Sequence, residues 1–254
     1  MDKKLVIITG ANGKLGKAYL EHFSSKEDFD VVSFSRSTQD EKPTVFKSVQ
    51  VDLLDQTNVG LEIDKIDFSI YKKIVLIHPV GKFKFQKQGI PEADSDRDGI
   101  DDEVFSSNVV TLQNILTSLI GCTKNVETQI FVCAFGSISD RYRIPFWSSY
   151  SKSKNILRGV LKCLTEQSVL RSKINVLFVN VSSVDTGNEN KLRPYADKKF
   201  WLKPEAIVAK SLDYLLSEFT GYREIDVYNP VPNFDTNYFH NKEKIFQKWL
   251  SEME

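Results

Sequence analysis

The stretch that most restricts the fold of this chain lies near its start. Leu5-Val-Ile-Ile8 is a short, continuous apolar run, as expected of a strand buried on both faces of a parallel sheet. It ends at Thr9-Gly10-Ala11-Asn12-Gly13-Lys14-Leu15-Gly16, after which Lys17-Ala-Tyr-Leu-Glu-His-Phe23 reads as helix. Glycines where a strand turns into a helix let the backbone approach a pyrophosphate closely. The helix N-terminus adds N–H donors and a partial positive charge. Gly10, Asn12, Gly13, Lys14, Leu15 and Gly16 are therefore candidate nucleotide-binding residues. The spacing Gly-x-x-Gly-x-x-Gly departs from the usual dinucleotide fingerprint, and a glycine-rich turn with no ligand is the alternative.

The alternation continues along the chain. Phe29–Phe34, Thr44–Val51, Lys73–Ile77, Ile130–Phe135, Ile174–Val179 and Ile225–Tyr228 read as further strands. Helical spacing recurs over Asp102–Leu119, over the residues following Tyr150, over Pro204–Leu216 with proline in its first turn, and over Lys242–Met253. The stretches Val59–Ile70 and Lys82–Pro91 read as mixed and loop. Strands alternating with helices predict βαβ crossovers, hence an α/β fold: one doubly wound parallel sheet of about seven strands with helices on both faces. At 254 residues and 41% hydrophobic content the chain can bury that core as a single domain, 1–254.

Charge narrows the partners. The 34 basic and 34 acidic side chains cancel, so no global field draws the protein to nucleic acid or an anionic membrane, and a small-molecule ligand is expected. No apolar run approaches the roughly 20 residues that cross a bilayer, and no signal peptide is apparent. Cys122, Cys133 and Cys163 fall in apolar segments without metal-ligand spacing, which predicts buried, reduced thiols and a cytoplasmic protein. The acidic stretch Asp94–Asp101 looks like a calcium loop, but its twelfth position is Phe105, so it predicts an acidic lead-in to a helix, and no metal site is expected.

In a doubly wound sheet the residue just past the second strand meets the adenosine ribose. Arg36 stands there and suits a 2′-phosphate, with Lys14 as support, so NADP(H) is favoured over NAD(H); a solvated surface arginine is the alternative. Chemistry is offered by Tyr150 and Lys154, a phenol and an ammonium one helical turn apart, the ammonium expected to lower the phenol pKa toward that of a general acid/base. Tyr195/Lys199 and Tyr238/Lys242 share the spacing but not the helix. Ser137, thirteen positions upstream, closes the strand before Tyr150, and Asn108 lies inside the preceding helix.

Taken together these residues resemble the short-chain dehydrogenase/reductase family, and the resemblance runs nearly end to end. Thr9–Gly16 is similar to its nucleotide-binding turn, with the glycine spacing of the extended branch. Asp52, with Leu53, matches the position that contacts adenine; Asn108, Ser137, Tyr150 and Lys154 match the catalytic tetrad in order; Thr186, within Val184-Asp185-Thr186, matches the threonine at the nicotinamide end. The resemblance implies hydride transfer between a nicotinamide and a carbonyl carbon. Tyr150 would be general acid/base, Ser137 the hydrogen-bond donor to the oxygen, and Lys154 a partner of both Tyr150 and the ribose, with Asn108 supporting a water-linked proton path. It also implies a homodimer or homotetramer.

Two departures stand out. His78-Pro79-Val80-Gly81 replaces Asn-Asn-Ala-Gly after strand four, leaving His78 and Gly81 as cofactor-side candidates but losing amides that help hold the central strands. Val181-Ser182 replaces Pro-Gly after strand six. The substrate pocket is expected from loops 138–149 and 182–203, which offer Arg141, Arg143, Phe146 and Trp147, then Arg193, Tyr195 and Trp201. A modest carbonyl compound with an anionic group facing Arg141 or Arg143 is one reading of that set; surface arginines beside an aromatic wall are the other. A dinucleotide-binding regulatory or scaffold protein and a nucleotide-sugar epimerase/dehydratase are the competing functions. The second is disfavoured by the short chain after Pro204.

Overall fold

The computed structural model describes residues 3–37, 46–84, 100–142, 147–167, 170, 173–187, 189–228 and 241–253. Seven strands form one sheet: β1 (Lys3–Thr9), β2 (Phe29–Ser35), β3 (Phe46–Gln50), β4 (Tyr71–His78), β5 (Gln129–Ser137), β6 (Ile174–Val181) and β7 (Tyr222–Val227), in the order β3-β2-β1-β4-β5-β6-β7. Every neighbouring pair is parallel. The helices are α1 (Lys14–Ser24), α2 (Gln56–Ile63), α3 (Asp102–Phe105), α4 (Thr111–Thr123), α5 (Ile138–Tyr142), α6 (Ser148–Glu166), α7 (Pro204–Leu215) and α8 (Lys242–Met253).

Alternation along each strand divides the core into two layers. Leu5, Ile7, Ile74, Leu76 and Val132 face Val59 of α2, Leu112, Ile115 and Leu119 of α4, and Leu157 and Leu161 of α6. Val6, Ile8, Val75, Ile77, Phe131 and Leu177 face Tyr19 and Phe23 of α1 and Ile207, Leu212 and Leu215 of α7. A third cluster, Ile138, Trp147, Ile245 and Trp249, joins α5 and the start of α6 to the C-terminal helix.

The sheet runs outward in both directions from β1 and β4. Chain order reverses between these two strands, so their C-terminal ends splay apart, the place where an open α/β sheet accepts a ligand. Thr9, His78 and Ser137 end β1, β4 and β5 around that gap.

The expected helix over 102–119 is present but divided. Ser106–Val110 forms a π-turn between α3 and α4, with Asn108 at its centre. Its lead-in is capped by Asp101, whose side chain accepts from the N–H groups of Glu103 and Val104. The rest of the acidic stretch, Asp94–Gly99, lies outside the described residues, as do Thr44 and the connection preceding it.

One prediction about the thiols is corrected. Cys133 is buried, but Cys122 is half-buried and donates to Asp64, and Cys163 faces solvent on the outer side of α6; all three are free. The apolar spacing after Tyr150 locates the helix without saying which of its faces is covered.

Candidate active site

The first wall of the site follows from three glycines. Gly10 has φ +59, and a Cβ there would lie 2.8 Å from the side chain of Val80. The Gly13 N–H donates to the Gly10 carbonyl at 2.9 Å, closing the turn, and a Cβ on Gly16 would lie 2.4 Å from that same oxygen. Gly13 is the N-cap of α1 and offers no side chain to cap it, so the first N–H groups of the helix open toward the crevice. Asn12 ties the turn to the end of β2, donating to Ser37 Oγ at 2.7 Å and to the Ser37 carbonyl at 3.1 Å.

A crevice of about 1080 Å³ runs from this turn to the start of α6. Its near end is lined by the glycine turn with Lys14 and Leu15, by exposed Arg36 between Ser35 and Ser37, and by Asp52 and Leu53. The Asp52 carboxylate accepts from the Leu54 N–H at 3.0 Å, which shapes that bend. Its far end is lined by Gly81, Ser137, Tyr150, Lys154 and Thr186. The volume is at the top of the roughly 300–1,000 Å³ range of ligand pockets, enough for a dinucleotide beside a small molecule.

Ser137 is the last residue of β5, and Tyr150 and Lys154 lie in the first two turns of α6. The Lys154 ammonium sits 5.6 Å from the centre of the Tyr150 ring. The Ser137 hydroxyl is a hydrogen-bond partner that favours the phenolate. The expectation that Lys154 lowers the phenol pKa is corrected in direction. Burial raises Tyr150 above its ordinary value, the buried Asp140 carboxylate adds to the rise, and Ser137 only partly offsets it. Lys154 is itself desolvated, which brings it down to about 8, with Asp140 acting against that fall.

Asn108 is buried, and its amide is spoken for by neighbours other than Lys154. It donates to the Lys82 carbonyl and to Ser153 Oγ, both at 2.8 Å, and accepts from the Lys82 N–H at 2.9 Å. It therefore straps the segment after β4 onto α6. Gly81 fits into that strap, since a Cβ there would lie 2.6 Å from the Asn108 Oδ1 and 3.3 Å from Lys154 Nζ.

His78 is a second correction. Its ring does not line the crevice but is fully enclosed, with Nδ1 2.8 Å from Thr9 Oγ1 and Nε2 3.2 Å from Thr111 Oγ1. It joins β1, β4 and α4, restoring the cross-strand support that the missing amides would have given. Lys14 also points elsewhere than expected. Its ammonium reaches the Asp185 carbonyl at 3.3 Å, across the crevice from Arg36.

The pocket loops divide unevenly. Trp147 lines the crevice and packs against Phe83, Tyr150 and Trp249 with ring centres 5.1, 6.3 and 5.7 Å apart. Arg141 does not face the pocket, because Asp226 and Glu224 of β7 hold it at 2.6 and 3.2 Å. Arg193 is buried between Glu189 and Glu252 and lies over the Trp249 ring, while Tyr195 is exposed. Arg143 and Phe146 lie outside the described residues. At the second departure, the Ser182 N–H continues the sheet toward the Val227 carbonyl at 3.4 Å. Trp249, Glu189 and Asp140 were missed. Trp249 is about 100 residues beyond Tyr150, with only a closing amphipathic helix to announce it. Asp140 could have been suspected from its place three residues after Ser137.

A scan against protein-family models and a search of curated proteins return no match. Solved structures do match. A short-chain dehydrogenase from Burkholderia cenocepacia J2315 in complex with NADP shares 16% identity, with 98% of each chain covered and a TM-score of 0.71. 4-Hydroxyisoleucine dehydrogenase complexed with NADH shares 20% identity, covering 88% of this chain and 97% of that one at 0.67. An alcohol dehydrogenase from the archaeon Thermococcus sibiricus complexed with 5-hydroxy-NADP shares 17%, covering 91% and 100% at 0.68. At this level of identity the likeness is one of architecture: the chain has the Rossmann-type α/β fold of the short-chain dehydrogenases.

Proposed function

We propose that this protein is an NADP(H)-dependent oxidoreductase that interconverts a carbonyl and an alcohol. The observation that carries the reading is the convergence of Ser137, Tyr150 and Lys154 on the far end of a crevice whose near end is the uncapped, glycine-built N-terminus of α1. The glycines let the turn close to distances that a Cβ would forbid, and the open N–H groups of α1 suit a pyrophosphate. Dehydrogenases of the same fold hold NADH or NADP in their own structures. Arg36 with the Ser37 hydroxyl favours a 2′-phosphate at the adenosine end, and Thr186 stands at the other end.

When bound, the nicotinamide supplies or accepts the hydride. The chain's own residues handle the proton and the geometry. Tyr150 gives its phenolic proton to the developing alkoxide, Ser137 hydrogen-bonds the same oxygen, and Lys154 steadies the phenolate that results. With its pKa at about 8, Lys154 is also able to exchange protons near neutrality. Asn108 keeps the main chain at Gly81 and Lys82 in place beside it. The substrate is a small carbonyl or alcohol compound held against Trp147 and Trp249, with Ile138 and Ser139 after β5 and Ser182, Ser183 and Glu189 after β6 lining the pocket of a single cytoplasmic domain. Two or four copies assemble through the outer face of α6, where Ile156 and Val160 are exposed.

The test is a panel of carbonyl compounds followed by NADPH absorbance, with NADH alongside. Tyr150→Phe should reduce turnover by on the order of a hundredfold or more while NADPH still binds. The raised phenol of Tyr150 favours one second reading, a dinucleotide-binding regulatory protein with little turnover. NADPH binding without oxidation across the whole panel would select it.

A further inference from the structure

Behind Ser137, Tyr150 and Lys154 lies a buried carboxylate that the reaction outlined above leaves without a role. Asp140 stands in the first turn of α5 with no exposed side-chain surface. Its Oδ1 accepts from the Ser137 N–H at 3.2 Å, and its Oδ2 pairs with Arg158 of α6 at 2.5 Å. Arg158 is fixed in turn by Glu224 of β7, by Asn180 of β6 and by Asn155. Gly136 makes room for this arrangement, since a Cβ there would lie 2.4 Å from the Asn180 Oδ1.

Resting on the proposed oxidoreductase reading, we propose that Asp140 is a positioning residue: it fixes the main chain at Ser137 and sets a buried negative charge behind Tyr150 and Lys154. The two effects separate chemically. The hydrogen bond orients the Ser137 peptide, and through it the hydroxyl that must meet the substrate oxygen. The charge opposes the phenolate and supports the ammonium, so it moves both groups the same way. Other charges face the same region. Arg158 opposes the rise that burial imposes on Asp140. Arg141 is engaged by Asp226 and Glu224, Tyr222 bonds Glu224, and Glu189 adds a weaker push on Tyr150. Among the described residues, Asp140 is the charged group that bears on both Tyr150 and Lys154.

Asp140→Asn keeps an acceptor for the Ser137 N–H and removes the charge. Its pH–rate profile for alcohol oxidation should move to lower pH by about half a unit or more, with little change in the KM for the dinucleotide. Asp140→Glu keeps the charge and displaces it, so kcat should fall while the profile stays near that of the wild type. Asp140→Ser removes the charge from a smaller side chain and repeats the measurement if the amide variant does not fold. Fluorine NMR of fluorotyrosine-labelled protein, with the Tyr150 signal assigned through Tyr150→Phe, reads the phenol without turnover. It should titrate at lower pH in the charge-free variants. If the wild type oxidises no alcohol and reduces no carbonyl, the functional reading fails while the NMR titration still decides this one. A folded charge-free variant with an unmoved profile and an unmoved Tyr150 titration overturns the proposal.

Discussion

His78 gathers three elements around one ring, and its environment makes a prediction about acid. Burial holds the imidazole down at about 3, against an ordinary 6.5, with nearby Lys154 reinforcing the effect. The folded protein thus keeps it neutral while the unfolded chain takes up a proton below about 6.5. The unfolded state binds more protons between those two values, so stability is whole above pH 6.5 and declines as pH falls toward 3. Unfolding free energies from urea titrations between pH 7.5 and pH 5 should drop for the wild type, by up to about 1.4 kcal/mol per pH unit from this group. His78→Asn should show a shallower decline, and equal slopes in the two proteins would refute the assignment. At this scale the sequence spoke unevenly. The positions of Ser137, Tyr150 and Lys154 were readable because strand end and helix start are fixed by their neighbours. The direction of the Tyr150 shift was not, since it depends on Asp140 and on burial from segments far away in the chain.

Between β1 and α1 the chain has almost no steric freedom. A methyl group on Gly16 would press on the Gly10 carbonyl, a main-chain atom that cannot swing aside. Gly16→Ala should therefore weaken NADPH binding by on the order of tenfold, about 1.4 kcal/mol, in a fluorescence titration. Unchanged affinity would show that the turn does not hold the dinucleotide. Elements of this kind were legible because continuous apolar runs mark buried parallel strands and glycines mark their exits. The π-turn at Ser106–Val110 was not, because one extra residue in a helical turn leaves the apolar spacing on both sides intact. The roles of Arg141 and Arg193 were hidden for a different reason. Asp226 and Glu224 on β7 hold Arg141, and Glu252 on α8 joins the nearby Glu189 on Arg193, so the deciding partners lie far along the chain.

For the molecule as a whole, α6 is the element that serves two sides. Its inner face packs Leu157 and Leu161 onto the sheet and brings Lys154 to the crevice, while Ile156, Val160 and Cys163 look outward. Val160→Glu should convert an assembled protein to monomers in light scattering, because a charge placed in an apolar contact strands it without a partner. A wild type already monomeric at assay concentration would contradict assembly through this face. The doubly wound class was visible from the alternation of strands and helices, whereas surface patches leave no such periodic mark. The pairing of Asp140 with Arg158 reaches further still, since it binds the histories of four elements together. Losing the Arg158 charge alone would leave the Asp140 carboxylate buried without its counterpart, at a cost of about 3–5 kcal/mol, whereas Arg158 keeps Glu224 when Asp140 is neutralised. Descendants of this chain should therefore alter positions 140, 158, 180 and 224 in concert, and a lineage that neutralises one should carry a matching change at another.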